Sequence, residues 1–457
     1  MSNKENKIEK IFILIIGIIS VFMSVLMPIW QTPDEMTHLE IIGSSINNDQ
    51  FAELLVEDIG NSKETLVLNI EDKVDWQKQK SIMTKAPTYD RIQMMPQGIK
   101  LSIISHFPAT LAMLITILIG LPTYWVLQFG EFASIGFYLL VVYYAIKIMP
   151  IKKEMLCVCV ALPMALQQAG SIGYDAVVIP LCFLFIAYVF RLKFDESPVT
   201  LREISLLFLL WLLISYIKMP YTFLGFLVIL IPLKQYRVVV GKITFEEKLI
   251  KKLIIPICVL LGIILILGIY IFRNNRWIQV VFGCLTEWER TIFLLKQTII
   301  YWGRDLAVGI VGNFGWLDFS VGVVIAAISY VFIVFVSIFA REERGVMRIK
   351  DRVGVLLVAI VLIFFTTLSM VNHTIMVTLY GSESANGIYN IHEALYQIPY
   401  IGGLQGRYFL PILPLVFLPL PQICKRKMRF MWAYVFGFIM LIGVYALCLM
   451  IDRYWLS

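Results

Sequence analysis

The chain has 457 residues, 59% of them hydrophobic and 16% charged, with a net charge of +7 and a mean hydropathy of +0.80. This composition excludes a soluble domain and identifies a polytopic membrane protein. The basic excess of such a protein belongs to its cytoplasmic loops, so the charge is no argument for nucleic acid as a partner. The seven cysteines, most within apolar runs, form neither a disulfide framework nor a metal framework.

Lys4, Lys7 and Lys10 precede the first apolar run, Ile11–Ile29, which is long enough to cross a bilayer. The run is too long for a signal-peptide core and reads as a retained first helix with its N-terminus inside. Directly after it comes Trp30-Gln31-Thr32-Pro33-Asp34-Glu35-Met36-Thr37-His38. Thr32-x-x-Glu35 has the form of a capping box with Pro33 at the first helical position, so a helix is predicted to start here. That helix would carry Asp34 and His38 on one face. A purely structural reading of this stretch makes Asp34 and Glu35 cap residues that favour the helix dipole.

Residues 31–122 are predicted to form a long first extracytoplasmic loop. Asn47–Met95 is polar, whereas Ile99–Leu118 is apolar and interrupted by Lys100, His106 and Pro108. The next run, Phe129–Met149, ends at Lys147, Lys152 and Lys153, which places that end inside. Ile99–Leu118 is therefore predicted to lie at the interface rather than to cross. Two hairpins follow: Leu156–Gln168 with Ala176–Phe190 about the Gly170–Asp175 turn, then Leu206–Ile217 with Tyr221–Leu233 about Lys218-Met219-Pro220. Leu253–Phe272 crosses outward to a second outer region, 273–319, in which Thr291–Ile300 is predicted to lie on the surface. Val321–Ala340 returns to a basic segment, and Val353–Leu379 leads to a third outer loop, 380–406. Tyr408–Ile423 and Phe430–Met450 complete about 11 spans around one transmembrane domain. No inverted repeat of two comparable halves is visible, and the C-terminus is predicted outside.

This topology gathers the few charges that flank apolar runs on the outer face: Asp34, Glu35, Asp175, Lys218, Asp318 and Arg407. Each alone reads as a snorkelling interface charge. Six on one face, beside glycine turns and aromatics, fit a site at the membrane–water boundary. Arg407 and Lys218 suit a phosphate, one by a bidentate fork and the other as a point charge. Asp34 or Glu35 suits a general base, with His38 orienting it or serving as the base. A carboxylate pair with His would also accept a divalent cation, although the spacing is no metal signature.

Five segments in order resemble a bacterial membrane family of unknown function, DUF family 2142, within the GT-C glycosyltransferase superfamily. They are Pro33-Asp34-Glu35-x-x-His38, Ser171-x-x-Tyr174-Asp175, Lys218-Met219-Pro220-Tyr221, Phe314-Gly315-Trp316-Leu317-Asp318 and Gln405-Gly406-Arg407-Tyr408-Phe409-Leu410-Pro411. Ala86-Pro87-Thr88-Tyr89 departs from the family's fuller Pro-Pro-aromatic segment. The resemblance implies an all-α, GT-C-like bundle in the bacterial cell membrane. It implies inverting transfer of a sugar from a polyprenyl-phosphate-linked donor to a cell-surface glycan, polymer or lipid acceptor on the outer side. Asp34 would be the base, with Glu35 second and His38 beside them. Asp175, Lys218, Tyr221, Trp316, Asp318, Gln405, Arg407 and Tyr408 would bind substrate, with Arg407 and Lys218 on the departing phosphate. A flippase of such a lipid and a non-catalytic partner in cell-envelope polysaccharide assembly are the competing readings. The outer-edge position of the charges and the absence of repeats weigh against transport.

Overall fold

The protein is described by a computed structural model that covers residues 3–59, 73–195, 199–236, 238–240, 243–245, 275–340, 345–380, 390–423 and 430–456. It is mostly helical, with two short antiparallel strand pairs, Val238–Val240 with Ile243–Phe245 and Asn313–Phe314 with Phe319–Ser320. Among the described residues, 6 helices are long and apolar enough to cross a membrane: Lys7–Leu26, Thr123–Ile148, Asp175–Phe194, Gly322–Phe339, Ile349–Leu379 and Met431–Tyr454. The expected span Leu253–Phe272 and the basic segments at Lys248–Lys252 and Lys425–Arg429 lie outside the described residues.

Several expected spans are broken or wound differently, and in two of them proline supplies the reason. Leu156–Gln168 is two short helices, Lys153–Val160 and Pro163–Ala169, because Pro163 lacks an N–H and pushes Leu162 out of the helical region. The second arm of the next hairpin is a 12-residue 3₁₀ segment, Met219–Leu230, with Pro220 in its first turn. At about 2.0 Å per residue it reaches roughly 24 Å, farther than an α-helix of that length. Pro411 and Pro414 likewise divide the expected span Tyr408–Ile423 into a 3₁₀ segment, Gly406–Ile412, and a short helix, Leu413–Phe417.

Burial separates centre from periphery. The most hydropathic window of Asp175–Phe194 is 78% buried, against 28% for Gly322–Phe339. Asp175–Phe194 is therefore the axis on which the others pack. Peripheral helices turn rows of large apolar side chains outward: Leu14, Ile18 and Phe22 on one, Val324, Ile328 and Val331 on another. Exposed apolar rows of this kind need hydrocarbon beside them.

Ile99–Leu118 forms a 3₁₀ turn, Leu101–Ser105, and a 13-residue helix, Phe107–Ile119. At 1.5 Å per residue that helix is about 20 Å long, short of the roughly 30 Å of a bilayer core. It folds back along Thr123–Ile148 through a turn at Gly120, with Phe107 edge-on to Phe137 at 5.1 Å. Thr291–Ile300, expected on the surface as a separate stretch, is part of the 25-residue helix Trp288–Gly312.

Helix ends sort into two groups by contact. At one end, Lys153 pairs with Glu9 at 2.6 Å and Lys193 with Asp351 at 2.9 Å. Lys152, expected as a loop charge, is buried there, donating to Ser337 Oγ and to the Leu418 and Leu420 carbonyls. At the other end, Trp455 Nε1, at the close of the helix Met431–Tyr454, donates to the Leu26 carbonyl, and Trp316 Nε1, in the turn between the strands Asn313–Phe314 and Phe319–Ser320, donates to the Trp30 carbonyl.

Candidate functional site

The helix after the first span begins at Glu35, with Asp34 as its N-cap in a left-handed conformation, φ 67°. The expected capping box does not form. Thr32 directs its hydroxyl at Met27 Sδ, and Glu35 turns back to accept the Trp30 N–H at 2.9 Å. The kink at Trp30, itself at φ 69°, places Glu35 under the chain instead of over the helix start. Burial of Glu35 drives its pKa up to about 7, and its Oε1 is buried without a partner. Asp34 stays at the surface.

Asp34, Asp175, Lys218 and Arg407 meet in one ion network. Arg407 Nη2 donates to Asp34 Oδ2 at 2.6 Å, Arg407 Nε faces Asp175 Oδ2 at 3.4 Å, and Lys218 Nζ donates to Asp175 Oδ1 at 3.1 Å. The Arg407 side chain is only 4% exposed and that of Asp34 is 53% exposed, so the pair joins the interior to the surface. A buried guanidinium without such partners would be prohibitively costly. Lys218 is enclosed by rings, with Tyr408 at 4.1 Å, Tyr174 at 5.0 Å and Tyr221 at 5.4 Å. Its charge is satisfied by Asp175 and three π-faces, which makes it a fixed support of Asp175 more than an open phosphate ligand. Tyr221 is fully buried and donates to the Tyr408 carbonyl at 2.8 Å. It therefore pins the Arg407 segment rather than facing a substrate.

Arg407 also lines a cavity of about 370 Å³, together with Arg304, Asp305, Asn313, Asp318 and Gln405. Gln405 Oε1 and Asp318 Oδ1 are buried without hydrogen-bond partners. The other oxygen of Asp318 accepts from Arg453 Nε at 2.7 Å. Trp316 is exposed but held by its bond to Trp30. Gly406 makes the approach of Arg407 to the cavity wall feasible: a Cβ there would overlap the backbone of Gly309 and Ile310. Asp34, Glu35 and His38 do not line this cavity, and Arg407 connects it to the Asp34–His38 side through its contact with Asp34.

His38 is buried on that second side. Its Nδ1 lies 3.0 Å from His106 Nε2, its ring stands edge-on to Tyr174 at 5.0 Å, and a Cβ on Gly173 would come within 3.0 Å of its Nε2. Burial lowers its pKa to about 4 and that of His106 to about 3.

The profile of the family described as "Predicted membrane protein (DUF2142)" matches residues 14–416, nearly the whole chain. The chain belongs to this family. No curated protein and no solved structure matches it. The DUF2142 match spans all five segments that drew Asp34, Asp175, Lys218, Asp318 and Arg407 together, and the fold places four of these five charges in one network.

The sequence reasoning passed over three groups. Glu131 sits within the apolar span Thr123–Ile148, buried, accepting from Ser24 Oγ at 2.6 Å and Gln128 Nε2 at 2.8 Å; an acid two residues into an apolar run was a readable signal. His106 was visible only as an interruption. Arg453, the partner of Asp318, carried no signal, because 135 residues separate them. Among the described residues, no group of three or more His, Cys, Asp or Glu side chains is placed to hold a metal ion.

Proposed function

We propose that this DUF2142 protein is a GT-C-type glycosyltransferase of the cell membrane. It moves a sugar from a polyprenyl-phosphate-linked donor to a glycan, polymer or lipid acceptor on the outer side, with inversion. The observation that carries the reading is Arg407, a buried cation that lines a polar cavity on one side and grips Asp34 on the other. In the cavity, Arg407 and Arg304 suit the lipid phosphate, while Asn313, Asp318 and Gln405 suit sugar hydroxyls. Positive charge held where the leaving phosphate forms stabilises the transition state more than the ground state. Lys218 and Asp175 keep the guanidinium oriented. Asp34 and His38, on the acceptor side, are the groups placed for proton transfer, and buried Glu35 supports the turn between them.

Purification in lipid nanodiscs followed by native mass spectrometry tests the reading. A polyprenyl monophosphate or its glycosylated form should bind the wild-type protein and be lost from Arg407→Ala. A protein that carries no such lipid and takes up none when it is added would overturn the proposal.

A further inference from the structure

Ser105, His106 and His38 form a buried chain whose protons can be placed by counting. The Ser105 hydroxyl has one hydrogen, and Ser105 Oγ donates it to the Ser102 carbonyl at 2.7 Å. The contact between Ser105 Oγ and His106 Nδ1, also 2.7 Å, must then be a donation from Nδ1–H to the serine oxygen. A neutral imidazole carries one N–H, so His106 Nε2 is a lone pair. It accepts across the 3.0 Å contact from His38 Nδ1–H. His38 Nε2 is therefore bare. No donor among the described residues meets it, and it lies over Gly173 beside Asp175. The backbone carbonyl of Ser102 thus sets the tautomer of a ring three hydrogen bonds away, as an orienting group does for a catalytic histidine.

Asp34 is already engaged, its Oδ2 accepting from Arg407 Nη2 at 2.6 Å. We propose that His38 Nε2 is the proton acceptor for the acceptor hydroxyl, with Ser105 and His106 as positioning residues that hold its tautomer. The assignment rests on the glycosyl-transfer reading above. In the step, the acceptor O–H breaks and its proton goes to His38 Nε2. The freed oxygen pair bonds the anomeric carbon, whose bond to the phosphate oxygen breaks with its electron pair leaving on the phosphate beside Arg407. His38 then returns the proton to water. The charges facing His38 are Asp34, Asp175, Arg407 and Lys218, two of each sign, so they largely offset one another and burial keeps the ring neutral at rest.

The chain has only 4 histidines, so ¹⁵N-histidine NMR of the full-length protein in nanodiscs resolves each ring. At pH 7, His38 and His106 should both carry their proton on Nδ1 and have a bare Nε2. Ser105→Ala removes the acceptor for His106 Nδ1–H, and both rings should then populate mixed tautomers. Diethyl pyrocarbonate, which attacks bare imidazole nitrogens, should label His38 at Nε2 several-fold faster than His106, and Ser105→Ala should slow that labelling. A wild-type His38 protonated on Nε2, or one inert to the reagent, overturns the assignment. Binding of an added polyprenyl monophosphate is measured on the same sample. Its loss with the tautomers intact sinks only the donor reading, and its presence with the wrong tautomer sinks only this one.

Discussion

Arg407 bonds Asp34, faces Asp175 and lines the cavity, so its geometry is used three times. Arg407→Lys replaces a planar fork by a point charge that cannot hold both carboxylates. Transfer from the lipid-linked donor should fall by about 10²–10³ in kcat, the range seen when one preorganised donor is removed. Asp34→Asn keeps an acceptor for Arg407 and should cost less than His38→Gln, which removes the proposed base and should cost about 10²–10⁴; parallel turnover measurements decide the order. Glu35 gives a separate test by pH. Its folded pKa of about 7 lies above the ordinary 4.5, so its contribution to stability is fully present below pH 4.5 and is lost as pH rises through 7. Glu35→Gln cannot ionise and still accepts from Trp30. Its thermal midpoint relative to wild type should therefore rise between pH 5 and pH 8, by the equivalent of on the order of 2 kcal/mol. His38 and His106 have the opposite sign: their pKa values fall from 6.5 to about 4 and about 3, so their contribution is present above pH 6.5 and lost as pH falls through 4.

The 3₁₀ segment Gly406–Ile412 lies directly on the helix Trp288–Gly312, and the contact is backbone to backbone at Gly309 and Gly406. Any side chain at 406 pushes the segment outward and carries Arg407 with it. Gly406→Ala should destabilise by about 1–3 kcal/mol, as overpacked sites do. It should also weaken polyprenyl-phosphate binding as severely as a change at Arg407 itself. Thermal unfolding and lipid binding measured on the one variant separate these effects, and normal binding in a destabilised Gly406→Ala protein would refute the coupling. Tyr221 works on the same element from the other side, through its bond to the Tyr408 carbonyl. Tyr221→Phe should lower kcat modestly while leaving the fold intact, since it removes one buried hydrogen bond of about 1 kcal/mol.

At the scale of the whole molecule, the two groups of helix ends define the membrane orientation to be tested. Lys147 is exposed at the end that carries the Lys153–Glu9 and Lys193–Asp351 pairs. Lys78 is exposed on the helix Trp76–Thr84, beside Trp455 at the other end, where Trp76 lies 6.2 Å from that ring. In a cysteine-free background, a single cysteine at 78 should react with an impermeant reagent from outside and one at 147 only after permeabilisation. Reversed labelling would place the Arg407 network on the cytoplasmic side and remove the case for an outer-face transferase. The buried Lys152 is unsuitable for such a probe.

The sequence by itself determined that this is a helical membrane protein, because hydropathy and length are additive properties that no fold alters. It also selected Asp34, Asp175, Lys218 and Arg407, since a charge beside an apolar run needs a reason wherever it lies in space. What it left undecided was every pairing. Arg407 lies 373 residues from Asp34, and only packing around Asp175–Phe194 brings them to 2.6 Å. The capping box failed for a local reason with a tertiary cause: the left-handed turns at Trp30 and Asp34 direct Glu35 inward, to a site buried on all sides. The broken helices escaped a hydropathy reading because proline changes hydrogen bonding without changing apolar character. The pairing of Ser105 with His106, and of His106 with His38, was silent for the deepest reason. A tautomer is fixed by which atoms touch, and the Ser102–Ser105–His106–His38 chain is assembled only when Leu101–Ser105 docks beside the helix that begins at Glu35.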